Sequence, residues 1–474
     1  MRLRTRGAPE RDLKGWAAHA LAGSELAPLW LARPDRPAAR PALVGHHEVD
    51  LLVVGGGFTG LWSALRAAER FPDRRVLLIE ADRVAEHATG RNGGFCEASL
   101  THGEANGMTR WPEEYDLLHR LGVQNLEEIE ASIARYDIDC GFVRGSVLAV
   151  ATQPHQVEAL EPGSEGFLTA DQVRQVIDSP TYLAGHLTVG ETALVDPARL
   201  GWGLAAAAES LGVQIAEHTA LTGLRRARGG RGSSGAVEAT TSRATITARN
   251  VVLATNAFRP TLRRLRYSTV PVYDYVLATE PLSEEQLRLL RWDLSVGVSD
   301  AGNQFHYYRI TPDRRILWGG YDAIYHYGRG IDPDFEDRAA TYQTLARNFA
   351  RTFPQLAGVR FTHRWAGVID TSTRYCAMFG RAHRGRTAYA LGFTGLGVGA
   401  SRFAADVMLD LLEGVSTERT RLKMVRRKPI PFPPEPVAYL GIQTTRFFLA
   451  REDRTGRRGA WLRLLDRLGM GFDS

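Results

Sequence analysis

Residues 49–80 constrain the fold more than any other stretch. Val49-Asp50-Leu51-Leu52-Val53-Val54 is a nearly continuous apolar run, as expected of a strand buried on both faces of a parallel sheet. Gly55-Gly56-Gly57-Phe58-Thr59-Gly60 follows at once. After it come Leu61, Leu65, Ala68 and Phe71 at helical spacing, then a second apolar run, Arg75-Val76-Leu77-Leu78-Ile79-Glu80. The pattern predicts strand, bend, helix and strand, about the length of a parallel crossover. The glycines fit G-x-G-x-x-G. Gly55 permits the tight turn, Gly57 lets backbone approach a pyrophosphate, and Gly60 lets the helix lie close to the strand. The helix start then offers unpaired N–H groups and a partial positive charge to phosphates. Glu80, with Ala81 beside it, stands 20 residues beyond Gly60, where an acid accepts from ribose hydroxyls. A dinucleotide site is the expectation.

The remaining sequence is organised around that unit. Its 474 residues suffice for two or three domains, and 44% hydrophobic with 24% charged residues is the balance of a globular protein. Collagen-like, coiled-coil and largely disordered chains are excluded. No apolar run reaches the ~18 to 20 residues of a membrane span, so no integral membrane association is expected. The opening MRLRTRGAPERDLKGW has no apolar signal core, which makes the cytoplasm the expected location. Three scattered cysteines, Cys96, Cys140 and Cys376, argue against disulfides and a structural metal site. The net charge of +6 is carried almost wholly by arginine, lysine occurring only at Lys14, Lys423 and Lys428. The basic cluster Arg419 to Lys428 comes with no zinc-finger or aromatic RNA-binding signature, so no nucleic-acid partner is expected. A homo-oligomer stays open.

Residues 1–48 read as a surface extension rich in Ala, Pro and Arg. Helices are predicted at Pro197 to Leu211, Arg338 to Phe353 and Arg402 to Leu412, and strands at Val213 to Ile215, Ala244 to Thr247 and Val251 to Leu253. Gly229 to Gly235 reads as a mobile hairpin loop. Aromatic and β-branched residues from Tyr267 to Trp318 predict an antiparallel sheet. The fold class is therefore α/β: a Rossmann-like dinucleotide-binding domain with an inserted antiparallel-sheet substrate domain. Residues 49–135, 190–265 and 360–415 are assigned to the first, and 136–189 with 266–359 to the second. Residues 416–474 form a C-terminal extension whose Trp461 to Leu468 is amphipathic. Docking on the protein's own surface or on a partner subunit, and attachment to a membrane surface, are its two readings.

Three further motifs identify the dinucleotide. His87-Ala88-Thr89-Gly90-Arg91-Asn92-Gly93-Gly94 follows Glu80, Val251-Val252-Leu253-Ala254-Thr255-Asn256-Ala257 ends a strand, and Gly392-Phe393-Thr394-Gly395-Leu396-Gly397 precedes a helix. With the first bend, these resemble the D-amino-acid-oxidase-like FAD family, which includes glycine and sarcosine oxidases, over roughly residues 48–415. The γ-glutamylputrescine-oxidase and aminophosphonate-oxidoreductase-like branch is nearest, on Phe305-His306-Tyr307-Tyr308-Arg309, Trp318-Gly319-Gly320-Tyr321 and His363-Arg364-Trp365-Ala366-Gly367. The resemblance implies FAD. It also implies cofactor contacts along Ala88 to Gly94, at Ala254, Thr255 and Asn256, and from Gly392 to Gly397.

It further implies an enzyme that oxidises a C–N bond of a small primary or secondary amine, such as an amino acid, polyamine derivative or aminophosphonate. The flavin takes the hydride and O2 reoxidises it with release of H2O2; the protein orients the C–H bond and sets the amine's protonation. A flavin monooxygenase, an amine dehydrogenase feeding a quinone and a non-catalytic FAD-binding subunit are the alternatives.

Tyr273, Tyr275, His306, Tyr307, Tyr308, Trp318 and Tyr321 lie in the region similar to the family's substrate sheet. They are open to two readings, sheet core or aromatic walls that bind an alkylammonium. Neighbours on a strand alternate faces, so Tyr307 or Tyr308 points inward, not both. His306 is open to a structural role or that of a base, and Trp365 to flavin edge or core. Arg309, Arg364 and Arg374 are candidates for holding an anionic substrate tail. Two departures bear on the substrate: Gly399 stands where sarcosine oxidases place a carboxylate-binding lysine, and Ala366 near where they place a flavin-linked cysteine. Non-covalent FAD is expected, with a covalent link through His87 as the alternative.

Overall fold

The computed structural model describes residues 10–227 and 235–471, and its strands form two sheets. The first contains the early motif. Its order is Met378–Ala382, Thr387–Leu391, Ala244–Leu253, Gly45–Val54, Val76–Ile79 and Gln214–Ala216. The antiparallel pair Gly223–Arg226 and Val237–Thr240 is attached beside Ala244–Leu253. The stretch 229–234, expected as a mobile loop, lies outside the described residues. From Thr387–Leu391 to Gln214–Ala216 the strands run parallel, and Leu51 to Val54 are buried as a two-sided strand requires.

Helix Phe58–Arg70 buries Leu61, Trp62, Leu65 and Ala68 and packs on helices Pro197–Ser210 and Gly397–Glu413. Asp196 caps the second of these by accepting from the Arg199 amide at 3.0 Å, and Pro197 fills its first position.

Between the first and third helices lies a charge cluster. Asp406 and Asp410 are 1% exposed, and Arg66, Arg70, Arg402 and Arg419 approach them. Asp410 accepts from Arg70 at 2.7 Å, Arg419 at 2.9 Å and Thr417 at 2.9 Å. Removing one partner from a buried pair costs about 3 to 5 kcal/mol. Arg70 and Arg419 are 25% and 31% exposed, so water recovers part of that. Asp410→Ala is expected to destabilise the protein by about 2 kcal/mol, read as a shift of the urea midpoint at unchanged m-value.

The second sheet has the order Glu25–Leu26, Phe361–Thr371, Val270–Thr279, Ile316–Gly320, His306–Ile310, Val296–Asp300, Val143–Ala151, Ala184–Leu194 and Phe95–Glu97. It is mixed rather than antiparallel throughout, since Val296–Asp300 runs parallel to Val143–Ala151. Phe361–Thr371 hydrogen-bonds along Val270–Thr279, and Phe95–Glu97 along Ala184–Leu194, so both belong to this sheet.

The N-terminal extension is part of the body. Helix Glu10–Leu21 packs on helix Ala339–Thr352, and the Trp30 indole donates to the Asn92 carbonyl at 2.8 Å. The C-terminal extension ends in helices Val437–Thr455 and Ala460–Arg467. The second docks on the protein itself through buried Leu462 and a Trp461 to Thr445 hydrogen bond of 2.9 Å. No helix among the described residues is long and apolar enough to cross a membrane.

Candidate active site

One cavity of about 1280 Å³ joins the two sheets. A site for a single small ligand is usually ~300 to 1,000 Å³, so this one has room for a dinucleotide and a second molecule. At one end is the early bend. Gly55 has φ +112°, and a Cβ there would run into the Ala254 carbonyl; a Cβ on Gly60 would run into the Gly55 carbonyl. The two glycines let strand and helix touch. At Gly57 a Cβ would meet only the Thr89 hydroxyl, at 3.0 Å, on the cavity side.

Helix Phe58–Arg70 has no acid in its first turn; its Phe58 amide donates to the Thr89 hydroxyl at 2.9 Å, and the amides of Thr59 and Gly60 are left for an anion. Helix Gly397–Glu413 also has no acid in its first turn, with Leu396 and Gly397 on the same cavity. Glu80 accepts from the Gly56 amide at 2.5 Å and the Asp82 amide at 2.8 Å. Two helix starts free of acids, glycine bends at each end and a carboxylate between them fit FAD.

The cavity is lined by Gly55, Gly57, Phe58, Thr59, Glu80, Ala81, His87, Thr89, Arg91, Asn92 and Gly93 of the early motifs. Ala254, Thr255, Asn256, Phe393, Thr394, Gly395, Leu396 and Gly397 line it from the later ones. Gly60, Gly90, Gly94 and Gly392 do not; they are where other groups pack. Gly90 lies against Ala85 and Leu31, Gly94 against Val195 and Arg309, and Gly392, at φ +81°, against Ser372. His87 is at the rim, its ring edge-on to Phe258 at 4.7 Å and 3.8 Å from Asp82.

Of the aromatic substrate candidates, Tyr273, Tyr307 and Tyr321 line the cavity. Tyr275, His306, Tyr308 and Trp318 do not. Tyr308 points to the opposite face, where Trp318 packs on it at 4.4 Å and the Tyr182 hydroxyl bonds it at 2.8 Å. Trp318 is core against His306, Phe349 and Phe353. His306 is clamped between Asp300 at 2.6 Å and Asn348 at 3.1 Å, the arrangement of a structural histidine. Trp365 is buried and donates to the Arg91 carbonyl at 2.9 Å, so it props the Arg91 loop from behind.

Arg309 is 2% exposed and donates to the Gly94 and Val195 carbonyls at 3.1 and 2.9 Å, tying its strand to the glycine turn. Burial lowers its pKa to about 10. Arg364 binds the Ser24 carbonyl and Arg374 the carbonyls of Arg427 and Ala377. None of the three lines the cavity. Tyr273 and Tyr275 donate to the Asp332 and Phe335 carbonyls. At Gly399 a Cβ would strike the Glu97 carbonyl, which leaves no room for a lysine.

Three acids that the sequence reading passed over lie on the same cavity. Asp274, between Tyr273 and Tyr275, accepts from the Tyr307 hydroxyl, and burial raises its pKa to about 6. Burial also raises the pKa of Glu97, and burial with the facing Asp274 charge raises that of Tyr307. Asp370 accepts from the Gly392 amide and, at 3.1 Å, from the Phe393 amide, with its pKa raised by burial to about 7. It fastens the late bend to the second sheet. An acid inside a run of aromatics, as in Tyr273-Asp274-Tyr275, was the available signal.

The model of the FAD-dependent oxidoreductase (DAO) family matches residues 50–411, and the chain belongs to that family; its cofactor is FAD. Escherichia coli γ-glutamylputrescine oxidoreductase is 31% identical over 385 residues, covering 77% of this chain and 84% of that protein. A probable oxidoreductase of Haemophilus influenzae is 27% identical, covering 79% and 85%. Among solved structures, Geobacillus kaustophilus glycine oxidase superposes with a TM-score of 0.67 at 20% identity, covering 81% of this chain and 100% of that one. At that identity it shows the shared fold.

Two substitutions separate fold from cofactor binding. At Gly397 a Cβ meets nothing within 4 Å, yet the residue lines the cavity. Gly397→Val is expected to leave the melting temperature of the flavin-free protein within about 2 °C of the parent, while FAD dissociation measured by fluorescence weakens at least about tenfold, or ~1.4 kcal/mol. Gly60→Ala is expected to lower both together.

Proposed function

We propose that the protein oxidises the C–N bond of a small primary or secondary amine to an imine, which water hydrolyses, with O2 as the final acceptor. The observation that carries this reading is the pair Glu97 and Asp274. Both face the cavity that carries the glycine bends, and neither forms an ion pair among the described residues. A buried carboxylate without a cation is costly, and an alkylammonium substrate supplies the missing charge. Bound FAD supplies the hydride acceptor.

The protein's own groups then manage the proton. A free amine has a pKa of ~10 and arrives charged, whereas loss of hydride needs the neutral form. A carboxyl group whose pKa is raised attracts the ammonium and accepts its proton more readily than an ordinary carboxylate. Tyr307 stays protonated at physiological pH, because burial and Asp274 both oppose its ionisation, and its hydroxyl fixes the Asp274 oxygen it donates to. The 31% identity to γ-glutamylputrescine oxidoreductase supports an amine substrate. The absence of Arg309, Arg364 and Arg374 from the cavity wall removes the expected holders of an anionic tail.

Anaerobic addition of the correct amine is expected to bleach the flavin; no bleaching by any amine in a panel of amino acids, alkylamines, polyamines and aminophosphonates would sink the reading. The pH dependence is specific as well. Asp274 is neutral below about 6 and anionic above, so kcat/KM for a cationic amine should rise through that pH as the acid ionises. A second rise at higher pH belongs to the amine itself. In Asp274→Asn the lower step should vanish and the upper one persist, with kcat/KM at pH 8 reduced about 10- to 100-fold.

A further inference from the structure

The cavity has a wall that the family match does not reach. The match ends at residue 411, whereas Ile442, Thr445, Leu449, Trp461 and Leu465 all line the cavity. On helix Val437–Thr455, Ile442, Thr445 and Leu449 recur at three- and four-residue spacing on one face. Leu440 and Phe447, 61% and 59% exposed, lie on another. Trp461 and Leu465 repeat the spacing on helix Ala460–Arg467.

Polar clasps hold this helix pair over the site. Asp453 accepts from the amides of Asn303 and Gln304, both at 2.8 Å, on the loop that leads into the Tyr307 strand. Arg446 pairs with Asp322, next to Tyr321. The Tyr325 hydroxyl donates to Glu435. The charged side chains of this wall that line the cavity are occupied: Arg446 with Asp322 and Gln443, Asp453 with the loop, and Glu452 with Arg458. What the wall offers to a molecule in the cavity is aliphatic and indole surface.

We propose that the C-terminal helix pair is the selectivity wall of the substrate chamber, and that it selects an amine bearing an unbranched apolar tail, alkyl or arylalkyl, over one whose tail ends in a charge. This rests on the amine-oxidase reading for the reacting end alone; the tail site is set by the wall. Each methylene moved from water onto apolar surface gains about fourfold in affinity. For the holoenzyme, KM should therefore fall about fourfold per carbon from propylamine to hexylamine with kcat little changed. Hexylamine should be preferred over 1,6-diaminohexane by at least about tenfold.

Leu449→Asn and Ile442→Asn should each flatten the chain-length slope, with FAD affinity reporting that the fold is intact. A flat slope in the parent, or preference for the diamine, would overturn the proposal. A second measurement does not depend on turnover. Binding of 1-hexanol to the holoenzyme, followed by quenching of tryptophan fluorescence, should be at least about tenfold tighter than that of 1,6-hexanediol. If no amine reduces the flavin while hexanol still binds selectively, the oxidase reading fails and the tail site stands. If amines are oxidised but the two alcohols bind alike, the tail site fails and the oxidase reading stands.

Discussion

The structure depends on three parallel strands ending at one level. Val54 is beside Ile79 and Leu253, and Leu253 is beside Tyr389, two residues before its strand ends. Each of these three strands, and the fourth that ends at Leu391, is followed by a piece of the site: Gly55 to Gly60, Glu80 and Ala81, Ala254 to Asn256, and Gly392 to Gly397. In open parallel sheets, ligands bind beyond the carboxyl ends of strands because the loops there and the helix N-termini converge. One register thus brings together four sequence segments separated by more than 300 residues. It works only because the crossing points carry no side chain: Gly55 abuts the Ala254 carbonyl, and Gly60 abuts Gly55.

The second sheet is coupled to the first by three ties, two of which leave the cavity surface alone. Arg309 reaches from its strand to the Gly94 turn, Trp365 holds the Arg91 carbonyl, and Asp370 grips the amides of Gly392 and Phe393. Gly93 leaves space that the Tyr307 ring occupies, a Cβ there falling 2.6 Å from the ring. The cofactor segments are thus positioned by the same sheet that presents Tyr307 and Asp274 to the cavity.

This division explains what the sequence disclosed. The cofactor end was legible because its demands fall on backbone: φ > 0, close approach and helix starts open to an anion leave glycines at fixed spacing, and the apolar runs of a buried parallel sheet are continuous. The substrate end was not, because its demands fall on side-chain parity. His306, Tyr307 and Tyr308 are adjacent in sequence and differ only in which face of the strand each takes. The facing Asp274 lies on a strand joined to theirs through Ile316–Gly320. Arg309 is misread from charge alone; a guanidinium whose donors are spent on two carbonyls is an internal tie. Glu97 gave no sign either, since its exposure to the cavity depends on a three-residue strand pairing with Ala184–Leu194.

The same reasoning explains why chemistry and selectivity occupy different stretches of chain. Groups that meet reacting atoms must be fixed to within fractions of an ångström, and on the proposed amine-oxidase reading Asp274 and Tyr307 stand on strands hydrogen-bonded on both sides. Val270–Thr279 is flanked by Phe361–Thr371 and Ile316–Gly320, and His306–Ile310 by Val296–Asp300 and Ile316–Gly320. A wall that sorts tails needs only shape and apolar surface, and residues 437–467 supply it through two helices docked mainly by side-chain contacts. Replacing Ile442 or Leu449 changes the far end of the chamber without disturbing a single ladder of either sheet. Asp274 and Glu97, by contrast, cannot move without their strands. A chain built this way can keep one oxidative chemistry while its terminal helices vary the amine that reaches it.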